Sequence, residues 1–152
     1  VVHRDLATRN ALLDADDHAL ITDFGMSRVA DSDGANYTTT KLGPIRWMAP
    51  EQLKESVVSR ESDVWSFGVL LYEIYARRKP YGDIPPHTAA LKTCNGETLS
   101  CDAAPRHVQL VMRDCFAYDA VDRPAMDAVV RRLRYKRGSD AAAKKKAAAA
   151  PA

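Results

Sequence analysis

The feature that most constrains the fold is the stretch 62–76, which is apolar on nearly every side when wound as a helix. It runs S-D-V-W-S-F-G-V-L-L-Y-E-I-Y-A. A surface helix keeps one polar face, whereas a helix that is apolar all round is buried among other elements. We therefore predict a central helix that its neighbours enclose. Asp63 lies near its start, where the helix dipole favours an anion and a carboxylate can cap free N–H groups.

The elements that could enclose this helix are indicated by periodicity. Apolar residues recur at helical spacing in two stretches, and residues 87–94 suit a further short helix. Short strands are predicted at Leu12–Leu13 and Ala19–Ile21 around an acidic turn, and Pro124 suits the first turn of a last helix that starts at Asp122. The prediction is an α+β fold, mainly helical, with one short β-hairpin. The two stripes are Val108, Val111, Met112 and Cys115, then Met126, Val129, Val130 and Leu133.

Composition limits the class of protein. The 152 residues are 46% hydrophobic and 28% charged, as in one soluble globular unit. Residues 136–152 carry five Lys/Arg and one Asp of the +2 total, which leaves −2 elsewhere and predicts no nucleic-acid face. No apolar run is long enough for a transmembrane helix and no signal peptide is visible. The three cysteines lack paired metal-ligand spacing and indicate reduced intracellular thiols.

Chemistry-bearing residues are concentrated in three triplets: His3-Arg4-Asp5, Asp23-Phe24-Gly25 and Ala49-Pro50-Glu51. Asn10 follows Asp5 on the same predicted loop. Taken alone, Asp5 would be a turn or cap carboxylate and Asn10 a turn former. Together with Asp23 they offer a base for a hydroxyl proton and oxygen ligands for a hard cation.

The order and spacing of these triplets resemble the protein-kinase signature. Over residues 1–135 the sequence resembles the C-terminal lobe of a protein kinase, and more closely that of a protein tyrosine kinase. The resemblance implies a protein-kinase-like fold that transfers the γ-phosphoryl group of ATP with Mg²⁺. Residues 136–152, a basic Ala/Lys segment of low complexity, are predicted to be a disordered tail.

By this resemblance Asp5 is the catalytic base, and Asn10 and Asp23 hold magnesium against the ATP phosphates. Leu12 forms the floor beneath adenine. Arg9 replaces the lysine that serine/threonine kinases carry two residues after the base, where this chain has Ala7. That arrangement is similar to tyrosine kinases and makes Arg9 the third catalytic residue after Asp5 and Asn10.

The platform for the acceptor peptide is assigned in the same way to Pro44 and Trp47, with Pro44 packing against the acceptor tyrosine. A plain loop-shaping proline is the alternative. Tyr37, in a long polar activation segment, is the expected autophosphorylation site, and Arg4 is expected to pair with its phosphate. An unmodified loop tyrosine is the alternative.

The remaining assignments are structural supports. His3 is expected to pack under Phe24, and Asp63 to accept backbone N–H groups of the catalytic loop. Glu51 is expected to pair with Arg123. Partners implied are protein substrates with acceptor tyrosines.

Two features concern the chain as a whole. It starts with Val1-Val2, and it contains no G-x-G-x-x-G stretch. We expect it to begin within the catalytic domain, with the N-terminal lobe absent. We also expect a cytoplasmic location, with membrane attachment only through upstream segments if the protein is a receptor. Two other functions stay open: a pseudokinase that acts as a binding scaffold, and a serine/threonine kinase of the tyrosine-kinase-like group.

Overall fold

A computed structural model describes residues 1–24, 36–37 and 44–134, with the backbone alone described for 36–37. Short 3₁₀ turns cover Thr8–Asn10, Ile45–Trp47 and Ala120–Asp122. Expectations that fall on residues 25–35, on 38–43 and on the tail lie outside the described residues. The helices and strands, in chain order, are β1 (Ala11–Leu13), β2 (Ala19–Ile21), β3 (Asn36–Tyr37), α1 (Pro50–Glu55), β4 (Val57–Val58), α2 (Arg60–Ala76), α3 (Pro86–Cys94), α4 (Arg106–Cys115) and α5 (residues 126–134).

The predicted central helix is α2, and it begins two residues earlier than the apolar stretch. Ser59 caps it by accepting a hydrogen bond from the Ser62 N–H at 3.2 Å. It packs most extensively against α4, and its Trp65 is only 1% exposed. Burying a side chain of this size contributes about 1.5–3 kcal/mol or more by apolar transfer alone. The all-round apolar pattern therefore corresponds to a helix at the centre of the core.

Gly68 on α2 marks the closest approach to α4. A Cβ built at Gly68 would lie 2.9 Å from the ring of Phe116, closer than carbon atoms can pack. The same ring makes an edge-on contact with Trp65, with centroids 5.1 Å apart. Glycine at this position thus lets an aromatic residue at the end of α4 reach the middle of α2.

The predicted hairpin is present as an antiparallel pair in which Leu12 lies opposite Leu20. Its turn is stabilised by Asp14, whose Oδ1 accepts hydrogen bonds from the Asp16 and His18 N–H groups at 2.9 and 2.8 Å. Apolar side chains of the hairpin are exposed, with Leu12 at 54%. A second small pairing joins β3 to β4, with Tyr37 opposite Val57.

The last helix starts later than predicted. Ala120–Asp122 forms a separate 3₁₀ turn, Arg123 is extended at φ −75° and ψ 141°, and α5 begins at residue 126. The residue before a proline is disfavoured in helical conformation, so Pro124 keeps Arg123 extended rather than starting the helix. Among the described helices, none combines the length and apolarity needed to cross a bilayer.

Candidate active site

The loop that carries His3, Arg4 and Asp5 is held in place by Asp63 in the first turn of α2. Its carboxylate accepts hydrogen bonds from the His3 N–H at 2.6 Å and the Arg4 N–H at 2.9 Å. Arg4 has a φ of 75°, which a non-glycine residue adopts only when its surroundings fix it. Burial raises the pKa of Asp63 above its ordinary value, against the opposing effect of the two N–H bonds. The contact expected between Asp63 and the loop is thus present.

His3 lies inside this loop and is buried. Its ring contacts Phe24 edge-on, with centroids 4.8 Å apart, and its Nε2 is 3.1 Å from the Thr22 carbonyl oxygen. The expected packing of His3 with Phe24 is therefore observed. It joins the loop before β1 to the residues after β2.

Asp5 is the buried carboxylate at the centre of the site. Its Oδ2 accepts a hydrogen bond from Asn10 Nδ2 at 2.9 Å, and its Oδ1 pairs with the Arg9 guanidinium. Asn10 Nδ2 also donates to the Asp5 carbonyl at 2.8 Å. Both carboxylate oxygens thus have a donor, which fixes the orientation of the group without removing all of its acceptor capacity.

Asn10 and Asp23 lie at the same end of the hairpin. Thr22, the residue before Asp23, donates to the Asn10 carbonyl from its N–H at 2.8 Å and from its hydroxyl at 3.1 Å. Since Asn10 Nδ2 is used by Asp5, the amide oxygen is directed away from that carboxylate. Asp23 is exposed with a φ of 61°. An amide oxygen and a carboxylate at the same end of the hairpin are ligands that suit a hard divalent cation.

The platform segment contacts the catalytic loop through Arg9. Its guanidinium carbon lies 4.5 Å from the ring centroid of Trp47, a cation–π geometry. Pro44 immediately precedes the 3₁₀ turn that carries Trp47 and is half-buried. Arg9 therefore connects the Asp5 carboxylate with the segment assigned to bind the acceptor peptide.

Glu73 on α2 was not predicted to belong to the site. Its carboxylate accepts hydrogen bonds from the Thr8 N–H at 3.0 Å, the Thr8 hydroxyl at 2.9 Å and Trp47 Nε1 at 2.9 Å. The available signal was a single acid in the second half of an otherwise apolar helix. A charge in such a position is retained only where it has polar partners.

Arg46 is a second side chain that no motif indicated. It is buried and donates to the backbone carbonyls of Pro80 at 2.9 Å, Gly82 at 3.2 Å and Ile84. Ser66 on α2 adds a bond from its hydroxyl to the Trp47 carbonyl at 2.8 Å. These bonds fix the backbone of the platform against the loop after α2 and against α2 itself.

Three other assignments concern an ion pair, the adenine floor and the activation segment. Glu51 and Arg123 meet in an ion pair at 2.7 Å. Leu12 is exposed beside the strand end that carries Asn10, which is compatible with a floor for a ring. The side chain of Tyr37 lies outside the described residues, so its expected pairing with Arg4 stays a prediction.

Comparison with known proteins agrees with this geometry. Residues 1–133 match the family described as protein tyrosine and serine/threonine kinase. The chain belongs to this family, and its mainly helical fold with two small antiparallel strand pairs is kinase-like.

Individual relatives narrow the resemblance to tyrosine-protein kinases. The chain is 41% identical over 135 residues to tyrosine-protein kinase csk-1 of Caenorhabditis elegans, covering 88% of this chain and 25% of that protein. It is 41% identical over 137 residues to tyrosine-protein kinase SYK of Gallus gallus, covering 88% and 22%. It is 42% identical over 127 residues to tyrosine-protein kinase Shark of Drosophila melanogaster, covering 81% and 14%. The chain thus spans a quarter or less of the length of these relatives.

Proposed function

We propose that this chain supplies the catalytic base, metal ligands and acceptor platform of a protein tyrosine kinase. The reaction is transfer of the ATP γ-phosphoryl group to tyrosine hydroxyls of proteins. The observation that carries the proposal is the connection from Asp5 through Arg9 to Trp47, which ties the base to the platform. The relatives, all tyrosine-protein kinases, support the same substrate class.

Asp5 acts on the acceptor hydroxyl. Arg9 and Asn10 hold its carboxylate in one orientation, so that it can orient the phenolic O–H and accept its proton as the phosphoryl group is transferred. Fixing the reacting groups in this way removes an entropic part of the barrier. The hydrogen bonds that the His3 and Arg4 N–H groups donate to the Asp63 carboxylate keep the loop next to Asp5 in its strained conformation.

Asn10 and Asp23 would hold magnesium, since their oxygen donors fit a hard cation at this strand end. When bound, Mg²⁺ supplies positive charge that neutralises charge on the phosphoryl oxygens. Leu12 would contact the adenine ring with its exposed side chain. The site thereby separates a nucleotide side, at the hairpin, from an acceptor side, at the platform.

The acceptor side favours tyrosine for a physical reason. The Arg9 guanidinium lies over the Trp47 ring, whereas position 7, which carries a lysine in serine/threonine kinases, holds the buried Ala7. The cation contacts the Asp5 carboxylate and the platform together, and we infer that the small Ala7 leaves space beside the base for a long aromatic acceptor.

Three further parts of the proposal concern the protein as a whole. We infer that an N-terminal lobe with a phosphate-covering loop completes the nucleotide site, because this sequence has no G-x-G-x-x-G. We place the reaction in the cytoplasm, where ATP is available and the free thiols of Cys94, Cys101 and Cys115 stay reduced. Tyr37 is proposed as the autophosphorylation site, with Arg4 as the partner of its phosphate.

The test is a phosphorylation assay with the complete protein that carries this sequence. Purified wild type, ATP, Mg²⁺ and a mixture of tyrosine, serine and threonine peptides should yield phosphotyrosine on phosphoamino-acid analysis. Asp5→Asn should lower turnover by roughly 10²–10⁴, the usual contribution of a general base. Asp102→Asn, at an exposed position away from the catalytic loop and the platform, is the matched control.

Each other function has its own outcome in this assay. Phosphoserine or phosphothreonine as the product would show a serine/threonine kinase. Nucleotide or peptide binding without turnover would show a pseudokinase scaffold. Turnover that Asp5→Asn leaves near normal would contradict the assignment of the base.

A further inference from the structure

The Glu73 carboxylate connects two segments that the motifs treat as separate. It lies in the last turns of α2, the most buried helix, and its partners are Thr8 in the catalytic loop and Trp47 in the platform. We propose that Glu73 is a positioning residue that holds the acceptor platform against the catalytic loop, so that capture of the acceptor peptide depends on it. The inference deepens the proposed function and rests on it.

Both oxygens of the Glu73 carboxylate accept hydrogen bonds, and together they reach two separate segments. Oε2 accepts from both the Thr8 N–H, at 3.0 Å, and Trp47 Nε1, at 2.9 Å, while Oε1 accepts from the Thr8 hydroxyl at 2.9 Å. Thr8 is 65 residues and Trp47 is 26 residues from Glu73 in sequence. Hydrogen bonds to a charged acceptor are among the stronger ones in proteins, so the three bonds define one arrangement of both segments.

Arg9 makes a second link between the catalytic loop and the platform. It follows Thr8 in the chain, stacks on the Trp47 ring at 4.5 Å and pairs with the Asp5 carboxylate. The indole is therefore held at its N–H edge by Glu73 and on its face by Arg9. Removal of the Glu73 carboxylate would free the indole edge, and with it the surface on which an acceptor tyrosine lies beside Asp5.

The nucleotide side also has hydrogen bonds that do not involve Glu73. Thr22, the residue before Asp23, donates two hydrogen bonds to the Asn10 carbonyl, and the hairpin is held by its own backbone pairing. A positioning role for Glu73 thus predicts a large effect on the KM for the peptide and a much smaller one on the KM for ATP. A purely structural role would lower the fraction of folded enzyme, which reduces the apparent kcat and leaves both KM values unchanged.

The experiment compares Glu73→Ala with Glu73→Gln in the complete protein. Glutamine can keep all three bonds: its Oε1 can accept from both N–H groups and its Nε2 can donate to the Thr8 hydroxyl. We expect Glu73→Ala to raise the KM for a tyrosine peptide by about tenfold or more, as loss of bonds to a charged group does. The KM for ATP should change less than twofold, and Glu73→Gln should restore most of the peptide KM.

Control variants separate local from global effects. Glu55→Ala removes an exposed acid at the end of α1 and should leave both KM values unchanged. Should Glu73→Ala fail to fold, Trp47→Phe removes the indole N–H donor, keeps a smaller aromatic ring beneath Arg9 and should raise the peptide KM as well. An unchanged peptide KM in the folded variants, or equal changes in both KM values, overturns the inference and leaves the proposed function intact.

A binding measurement distinguishes failure of this inference from failure of the proposed function. Affinity for a fluorescent tyrosine peptide is measured without ATP, so turnover is not needed. Wild type that binds the peptide but phosphorylates nothing contradicts the kinase activity, and weaker binding by Glu73→Ala still supports the role of Glu73. Wild type that neither binds nor phosphorylates the peptide overturns both.

Discussion

Arg123 and Glu51 form a bidentate ion pair across 72 residues of sequence, with Nη1–Oε1 and Nη2–Oε2 distances of 2.7 and 2.8 Å. The arginine side chain is 0% exposed and the glutamate side chain 15%. The guanidinium also stacks on Trp65, at 5.1 Å. Its N–H groups additionally donate to the backbone carbonyls of Glu61, Ala117 and Tyr118. One buried arginine thus fixes α1, which follows the platform, to α2 and to the chain before α5.

The first prediction is that Glu51→Ala and Arg123→Ala are strongly non-additive. Removing one partner of a buried pair typically costs about 3–5 kcal/mol, because the other charge stays buried without compensation. After the first substitution the second should add little, since the interaction is already lost. A double-mutant cycle on the free energy of unfolding, by urea denaturation, measures the coupling.

The exposed pair Arg131–Asp127 is the matched control for this cycle. Its N–O distance is 2.6 Å, but its side chains are 70% and 68% exposed. Solvent screens such pairs, so its coupling should be far smaller than that of Glu51 with Arg123. Equal coupling in the two cycles would contradict the role assigned to burial.

Sequence patterns predicted the parts of this fold that depend on local order. The central helix, the hairpin and the short helix α3 lie within a residue or two of their predicted bounds. The contact of His3 with Phe24 and the pairing of Glu51 with Arg123 were expected from the kinase resemblance, and the distances agree. The family match and the tyrosine-kinase relatives confirm that resemblance.

Contacts that depend on tertiary placement were not predictable in the same way. Glu73 and Arg46 belong to no short motif, and their partners lie 26–65 and 34–38 residues away. Periodicity shows that a helix is buried but not which polar groups it meets. The late start of α5 has a different cause. Proline suits the first turn of a helix, which predicted a start near Asp122, but Pro124 also disfavours a helical Arg123, and in the structure Arg123 is extended.

A second prediction concerns the activation segment. Phosphate on Tyr37 would carry about −1.5 to −2 charge at neutral pH and could pair with Arg4. The backbone of Tyr37 pairs with that of Val57, which lies between α1 and α2. Because α1 directly follows the platform, we expect a phosphate on Tyr37 to affect the platform through this pairing. Tyr37→Phe should lower the activity of autophosphorylated enzyme, measured after preincubation with ATP. Tyr118→Phe, at an exposed tyrosine outside the segment, is the control. Active protein without phosphate on Tyr37 by mass spectrometry would refute the idea.

A third prediction uses the thiols. Burial raises the pKa of Cys115 from 9.0 to about 12, with a smaller opposing effect of Arg132. At pH 8 iodoacetamide should therefore alkylate the partly exposed Cys94 and leave Cys115 unmodified until denaturant is added. Peptide mass spectrometry reads the two sites separately. Modification of Cys115 in folded protein would contradict its place in the core.

The raised pKa of Cys115 also makes the stability of the fold depend on pH. Between pH 9 and 12 the unfolded chain loses the Cys115 proton while the folded chain keeps it, so the unfolded state is favoured as pH rises. The stabilising contribution is complete below pH 9 and is lost towards pH 12. Wild type should lose more unfolding free energy than Cys115→Ala between pH 8 and 10.5. Parallel curves for the two proteins would disprove it.

The last prediction concerns residues 1–152 by themselves, which we expect to have no kinase turnover. They supply the base, the metal ligands and the platform, but no G-x-G-x-x-G loop. Phosphoryl transfer depends on groups that position the phosphates and stabilise their charge from all sides. On the hairpin, Leu12 and Leu20 are 54% and 49% exposed, so water would reach the nucleotide side and weaken the charge interactions there. That apolar surface should also make the isolated chain prone to aggregation.

The measurement is a radiolabelled-ATP assay on the purified 152-residue chain with Mg²⁺ and a tyrosine peptide pool. Light scattering monitors aggregation, and circular dichroism shows whether the helices around α2 have formed. The Asp5→Asn variant, purified in parallel, reports any contaminating kinase, because contamination would persist in it. Turnover near that of the complete protein, and absent in Asp5→Asn, would show that these residues suffice and that the proposed second lobe is dispensable. Folded but inactive chain is the outcome we expect, since the helical core packs around α2 without using the exposed hairpin surface.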